Sequence, residues 1–323
     1  MYITFPYKTY NLAHFYAFPH IVIMKITFYS KEVSFMPVFT NQAQLSYNGI
    51  TTNSNITTGE IIEVLSATKT PVTTGYSAND RKTYVINIVN SGNTAFTNLT
   101  VIDDLGAYSY TPSGGTPVTL YPLSYIDGTI LYFQNGVLRT APSISAGNTL
   151  TITGIGVPAN GVTTLIYETS VNEFAPLDIN DTITNTVTIS GNELTAPITA
   201  SAVIDTIDEP FLTIFKSVSP RQVPENGQLT YTFDIQNLGN TATVATDNVQ
   251  ISDVFSPILT NITVTYNGVV LSPTDYTYNE TTGLFQTNPG VINVPAATYT
   301  RDPATNAVLI TPGTTTVTIT GTL

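Results

Sequence analysis

The sequence holds no cysteine and no tryptophan, and only 10 of its 323 residues are Lys or Arg. Without cysteine, disulfides and thiolate metal sites are excluded. The two histidines, His14 and His20, both fall near the start, so the body of the chain has no imidazole for acid–base work. Charged residues make up 10% of the chain and acids outnumber bases, giving a net charge of −12. That sign excludes a nucleic-acid groove or an anionic membrane surface as a partner. No nucleophile–base pair, phosphate loop or metal cluster is legible either. The chain is not expected to be an enzyme, and no cofactor or metal is expected.

What is present is Thr, Asn and Ser among alternating Val, Ile and Tyr, broken by 21 Gly and 20 Pro. Hydrophobic residues reach 42%. That pattern favours strands of period two over helices, and the length allows two real cores. The expected fold is all-β: two tandem immunoglobulin-like β-sandwich domains, at 50–205 and 210–323, joined near Asp205 to Pro210.

Residues 1–35 read differently. They are aromatic and basic (Lys8, Lys25, Lys31) and hold no convincing signal peptide, because Pro19 and His20 interrupt the run from Phe15 to Met24. That run is also too short to span a bilayer. The segment is an atypical extension: an over-long start with Met36 as the true first residue, or a leader.

Two segments of the body repeat. Lys69, Tyr84, the turn Asn90-Ser91-Gly92-Asn93-Thr94 and Asp103 recur as Lys216, Tyr231, Asn237-Leu238-Gly239-Asn240-Thr241 and Asp253. The offsets are 216 − 69 = 147, 231 − 84 = 147 and 253 − 103 = 150. Asn and Gly tolerate positive φ, so the turn motif predicts a hairpin. The stretch Gly313 to Leu323 aligns without a gap to Gly161 to Val171. The first repeat then continues into the strand Ile183 to Ser190, for which the second repeat has no counterpart. The second sandwich is therefore expected to lack its last strand. A matching strand, Phe39 to Tyr47, lies ahead of the first repeat, and residues 36–49 form the candidate donor strand. Asn41 corresponds to Asn185. From each, a second strand leads to the next lysine, Lys69 or Lys216, at a similar distance along the chain.

Beyond Met36 the only lysines are Lys69, Lys82 and Lys216. Alternate residues of a strand share a face. Lys69 is in step with Leu65 and Ala67, and Lys216 with Leu212 and Ile214. Asp103, Asp253, Asn185 and Asn41 are likewise in step with apolar neighbours. Burying an unpaired ammonium or carboxylate costs several kcal/mol. One resolution is a buried Lys–Asp salt bridge capped by the Asn amide. The other is chemistry: a desolvated lysine loses its proton more easily and becomes a nucleophile. A protonated carboxyl beside it polarises the Asn carbonyl. Attack there releases ammonia and leaves a Lys–Asn amide.

The lysine of the entry strand, the Asn-x-Gly-Asn-Thr turn, the Asp of Val101-Ile102-Asp103 and of Ile251-Ser252-Asp253, and Asn185 together resemble the prokaryotic conserved-repeat domain (domain of unknown function, number eleven). They also resemble the isopeptide-forming domains of Gram-positive pili and adhesins. The resemblance covers nearly everything after Met36. It implies a surface or fibre-forming protein of stacked sandwiches, with Lys69 and Asn185 as bond partners and Asp103 as catalyst. In the second repeat it implies Lys216 and Asp253, with Asn41 supplied by another molecule.

The resulting expectation is a structural subunit of a bacterial surface or spore-associated fibre. It assembles head to tail with itself by N-terminal strand donation, and other surface proteins are further partners. The alternative is a monomeric adhesin or carbohydrate- or protein-binding module. The expected location is the cell or spore surface, without a sortase motif. Glu168, Asp178 and Asp181 read as solvated loop acids rather than a calcium site. Tyr121, Tyr125 and Tyr132 read as packing rather than a sugar-binding strip.

Overall fold

A computed structural model describes residues 38–60, 62 and 64–323; the expectations for residues 1–35, and for His14, His20 and Met36, lie outside them. The chain divides into two compact units, Met1–Glu63 and Val64–Leu323. In the first, the strands are β1 (Val38–Asn41), β2 (Gln44–Tyr47), β3 (Ile50–Asn53) and β4 (Thr57–Glu60). They form one interrupted hairpin, with β2 against β3 and β1 against β4, closed at Asn48-Gly49. Both turn residues have positive φ (45° and 77°), as a tight hairpin turn of this type requires. The expected single strand at 36–49 is therefore half of a two-stranded element, and the boundary at residue 50 falls at its tip.

The second unit begins with β5 (Leu65–Pro71), β6 (Gly75–Tyr76), β7 (Arg81–Asn90), β8 (Phe96–Asp103), β9 (Tyr108–Tyr110), β10 (Val118–Leu120), β11 (Leu123–Tyr125), β12 (Leu131–Gln134) and β13 (Val137–Leu138). It continues with β14 (Ser143–Ala146), β15 (Leu150–Val157), β16 (Gly161–Val171), β17 (Thr182–Ser190) and β18 (Ile198–Thr206). One sheet runs β13-β12-β16-β7-β5 and the other β14-β15-β8-β17-β18-β6. Between them lies a core that includes Tyr84, Ile86, Leu99, Val101, Leu165 and Val187, all fully buried. Each such side chain contributes on the order of 1.5–3 kcal/mol on burial. Strand β7 alternates between buried and partly exposed residues along almost its whole length, which is the period two that the sequence carries.

The remaining strands are β19 (Leu212–Ser219), β20 (Gln228–Asn237), β21 (Ser252–Val254), β22 (Thr260–Tyr266), β23 (Val269–Val270), β24 (Tyr276–Asn279), β25 (Leu284–Thr287), β26 (Thr298–Arg301), β27 (Val308–Thr311) and β28 (Gly313–Thr322). They give a sheet β19-β20-β28-β22-β23 facing a shorter one, β21-β25-β24, around a second core. Gly313 pairs with Asn237 as Gly161 pairs with Asn90, so the gapless alignment of the two segments is also a structural one.

The Asn-x-Gly-Asn-Thr motif is not a hairpin. It carries the chain from one sheet to the other, since β7 and β8 lie in opposite layers, and none of its residues in either repeat has positive φ. The asparagine folds inward instead. Asn90 Nδ2 donates to the Thr94 and Pro158 carbonyls and its Oδ1 accepts from Gly92 N; Asn237 does the same with Thr241, Pro295 and Gly239. The glycine admits the incoming linker: a Cβ on Gly239 would strike the Glu209 carbonyl, and one on Gly92 would strike Val64.

Candidate covalent cross-link site

In the first sandwich the topology brings the predicted residues together. Lys69 pairs with Ile86, so Tyr84, two residues along β7, shares its face, and Tyr84 pairs in turn with Tyr167 on β16. Across the core, Asp103 pairs with Val187 of β17, which puts Asn185 on the same face one step away. Lys69 Nζ donates to Asp103 Oδ2 over 2.8 Å, and both side chains are 0% exposed. The Tyr167 hydroxyl donates to the same oxygen, while Asp103 Oδ1 accepts from Leu105 N at 2.8 Å. Lys69 Nζ also sits 4.9 Å from the centre of the Tyr84 ring.

Asn185 is fully buried, yet among the described residues neither its Nδ2 nor its Oδ1 makes a well-formed hydrogen bond, and neither does the Tyr84 hydroxyl beside it. That sets Asn185 apart from Asn90 and Asn237, equally buried and bonded at both amide atoms. Buried polar groups are nearly always paired, and leaving one unpaired costs about 1–3 kcal/mol. Burial pulls the Lys69 ammonium below the usual lysine range, with the Asp103 charge opposing. Burial, reinforced by the Asp103 charge, holds the Tyr167 hydroxyl well above its usual range, so it stays protonated and donates. Burial raises the Tyr84 hydroxyl too, with the Asn185 amide beside it opposing. The site holds an amine that sheds its proton easily, a carboxylate bonded to it, and an amide that makes no well-formed hydrogen bond.

Two contributors were missed in the sequence. Tyr167 is absent from the second repeat, where Ile319 occupies the aligned place, so repetition gives no signal for it. Asp104 accepts from Thr186 N (2.9 Å) and its own N–H donates to Thr186 O (3.0 Å), clamping the strand next to Asn185.

The second sandwich holds half of this arrangement. Lys216 Nζ donates to Asp253 Oδ2 and lies 4.5 Å from the Tyr231 ring centre, as Lys69 does with Asp103 and Tyr84. Lys216 shares the face of its buried pairing partner Phe233, but it is not itself buried as expected: the Lys216 side chain is 40% and the Asp253 side chain 19% exposed. Strand β21 pairs only with β25, and among the described residues no strand takes the place that β17 takes beside β8. Nor does any take that of β18, so two strand positions are open where one was expected. Asn41 lies in the other unit, at the end of β1 opposite Thr57, and is exposed.

Glu168 lies within β16 rather than in a loop and meets Arg81 at 3.5 Å, while in the loop Asp181 Oδ2 accepts from Asp178 N at 2.9 Å. Tyr132 is buried and Tyr125 packs against Tyr167 with its ring tilted, at 6.4 Å between ring centres. Among the described residues no helix is long and apolar enough to cross a membrane.

No protein-family model matches the chain, and no curated protein matches it. Solved structures overlap it at low similarity. The major pilin subunit BcpA of Bacillus cereus is 11% identical, with 86% of this chain and 73% of that one covered and a TM-score of 0.33. The pilus backbone RrgB of Streptococcus pneumoniae is 12% identical over 77% of this chain and 55% of that one, with a TM-score of 0.32. A family 123 glycoside hydrolase of Clostridium perfringens is 9% identical over 44% of this chain and 27% of that one, with a TM-score of 0.27. Overlaps of this degree decide nothing about what the chain does; its own residues must.

Proposed function

We propose that the chain is a structural subunit of a surface fibre, strengthened by Lys–Asn isopeptide bonds and assembled head to tail by its N-terminal segment. The observation that carries this reading is Asn185, a wholly buried amide that makes no well-formed hydrogen bond among the described residues, beside a wholly buried Lys–Asp pair. Lys69 Nζ passes one proton to Asp103, and the neutral amine attacks Asn185 Cγ while the protonated Asp103 carboxyl polarises Asn185 Oδ1. The second proton that the amine sheds goes to the departing nitrogen, which leaves as ammonia; the Lys69–Asn185 amide remains and Asp103 stays protonated. Tyr167, protonated, holds Asp103 in place. The bond joins β5 to β17, near the two ends of the first sandwich, and replaces a buried ion pair with a neutral amide.

Assembly is supported by the open edge of β21 and by the half-built Lys216–Asp253 pair beside it. Exposed strand edges are places where another chain pairs. A strand given in one direction builds an open filament. Asn41 of one copy would then meet Lys216 of the next.

The test is intact mass together with boiled, denaturing gels of residues 36–323. The wild-type chain loses one ammonia, ~17 Da, per bond formed, and runs as a ladder of multimers. Lys69→Ala abolishes the internal loss, and deletion of 36–48 abolishes the ladder but leaves the first sandwich folded. Full mass in the wild-type protein would end the isopeptide reading; only monomer after boiling would leave a surface-binding module.

A further inference from the structure

Resting on the head-to-tail reading, we propose that the donated element is the whole hairpin 38–60 of a second copy, and that its docking is what shuts Lys216 away from water. In the first sandwich the corresponding cover is itself a hairpin. Strand β17 pairs with β8 and presents Asn185, while β18 pairs with β17 and closes the core with Ala202 and Ile204. Beneath that cover Lys69 is dry. Among the described residues both positions are open in the second sandwich, and Ile214, in step with Lys216, is 54% exposed.

The hairpin matches the vacancy in connectivity, spacing and surface. Asn185 lies opposite Ala202 and Asn41 lies opposite Thr57, so the two asparagines begin hairpins that enclose nearly equal lengths of chain. Residues 207–211 join β18 to the sandwich that follows, and residues 61–64 join β4 to β5. By that connectivity a β17–β18-type hairpin completes the sandwich before its linker, so the 38–60 hairpin completes a sandwich ahead of β5, which is another copy's second sandwich. Phe39, Leu45 and Tyr47 of the hairpin are more than half exposed and supply the apolar cover.

The register follows from the first sandwich. Val187 lies across from Asp103 and Thr188 across from Ile102. With Asn41 in the place of Asn185, Ala43 lies across from Asp253 and Gln44 across from Ser252. Gln44 and Ser252 are then on the outer face, and the chain has no cysteine to interfere.

The experiment mixes two full-length populations in a Lys216→Ala background, one carrying Gln44→Cys and the other Ser252→Cys, under mild oxidation. The expected result is a disulfide-linked heterodimer several-fold more abundant than from Gln42→Cys with Ser252→Cys, which is one pairing step out of register. Replacing residues 50–60 of the donor copy by Gly and Ser should bring the yield down to that control. Equal yields in both pairings, or an undiminished yield after the replacement, would overturn the proposal. So would an internal disulfide in a chain carrying both substitutions while mixtures stay unlinked. Because Lys216→Ala forbids the covalent bond, a cross-link here beside a missing wild-type ladder would sink the isopeptide alone. A wild-type ladder with no cross-link would sink the hairpin register alone.

Discussion

Asn185 stands on the same face as Asp103, one pairing step along the adjacent strand, because Val187 lies directly across from Asp103. No group in the core makes a well-formed hydrogen bond to the Asn185 amide. The first prediction separates it from the other buried asparagines. Asn185→Ala should abolish the ammonia loss of the first sandwich, leaving the monomer at full mass with its fold intact. Asn90→Ala should keep the ammonia loss but destabilise, by roughly 2–4 kcal/mol for the Thr94, Pro158 and Gly92 partners it strands. Mass spectrometry and denaturant unfolding on the same two variants check both halves. A mass loss surviving in the monomer of Asn185→Ala would move the internal bond elsewhere.

The buried pair itself gives a second expectation. In the Asn185→Ala background no bond forms, so Lys69 and Asp103 remain an ion pair with both side chains dry. Lys69→Met should then cost roughly 3–5 kcal/mol, because it leaves the Asp103 charge buried and uncompensated. Adding Asp103→Leu should recover much of that loss. A double variant as unstable as the single one would mean the cost lies in packing against Tyr84, not in charge.

Much of this is legible in the sequence, and the reason is the repeat. Lys69, Asp103 and Asn185 each broke an apolar alternation, and period two alone placed them inward. The pairing that brings Asn185 beside Asp103 is non-local, between strands far apart in the sequence, and only the repeat with Asn41 and Lys216 hinted at it. The turn motif misled because Asn and Gly have two uses. Positive φ is one; the other is an inward amide and room for a close backbone, which is how Asn90 and Gly92 serve here. The N-terminal element read as one strand because Phe39 to Tyr47 alternates in apolar residues. Its partner strand, Thr57–Glu60 with Gly59 under the Phe39 ring, has no apolar alternation to announce it.

Asp104 gives a pH dependence. Burial raises its carboxyl above the ordinary value of 3.8, although the Thr186 and Gly106 N–H groups oppose the shift. In the window between 3.8 and that raised value the folded chain holds more protons than the unfolded one. Stability contributed by this group therefore falls as pH rises through the window and is regained on acidification. Asp104→Asn should flatten that slope in urea titrations compared with the parent. An unchanged slope would assign the dependence to other carboxyls.

The last prediction concerns Arg301, on a hairpin present only in the second repeat. The first repeat turns from Val157-Pro158 directly to Gly161; the second inserts β26 and β27 between Val294-Pro295 and Gly313. That insertion reaches back to the first sandwich. Arg301 donates to the Tyr108 hydroxyl at 2.6 Å, lies 4.9 Å from the Tyr110 ring centre, and bonds its own hairpin at Asn306 O. Val308 N donates to Glu173 O at 2.7 Å, and Tyr299 and Val308 pack on the first core. Truncating Arg301 should cost roughly 1–3 kcal/mol from the lost charge-assisted bond and ring contact. Arg301→Lys should not restore it, because an ammonium cannot bridge Tyr108 and Asn306 as the planar fork does. Because the strap ties the two sandwiches together, its loss should also split one thermal transition into two and expose residues 207–211 to protease. A single transition with an unchanged cleavage pattern in Arg301→Ala would show that the linker alone fixes the two sandwiches.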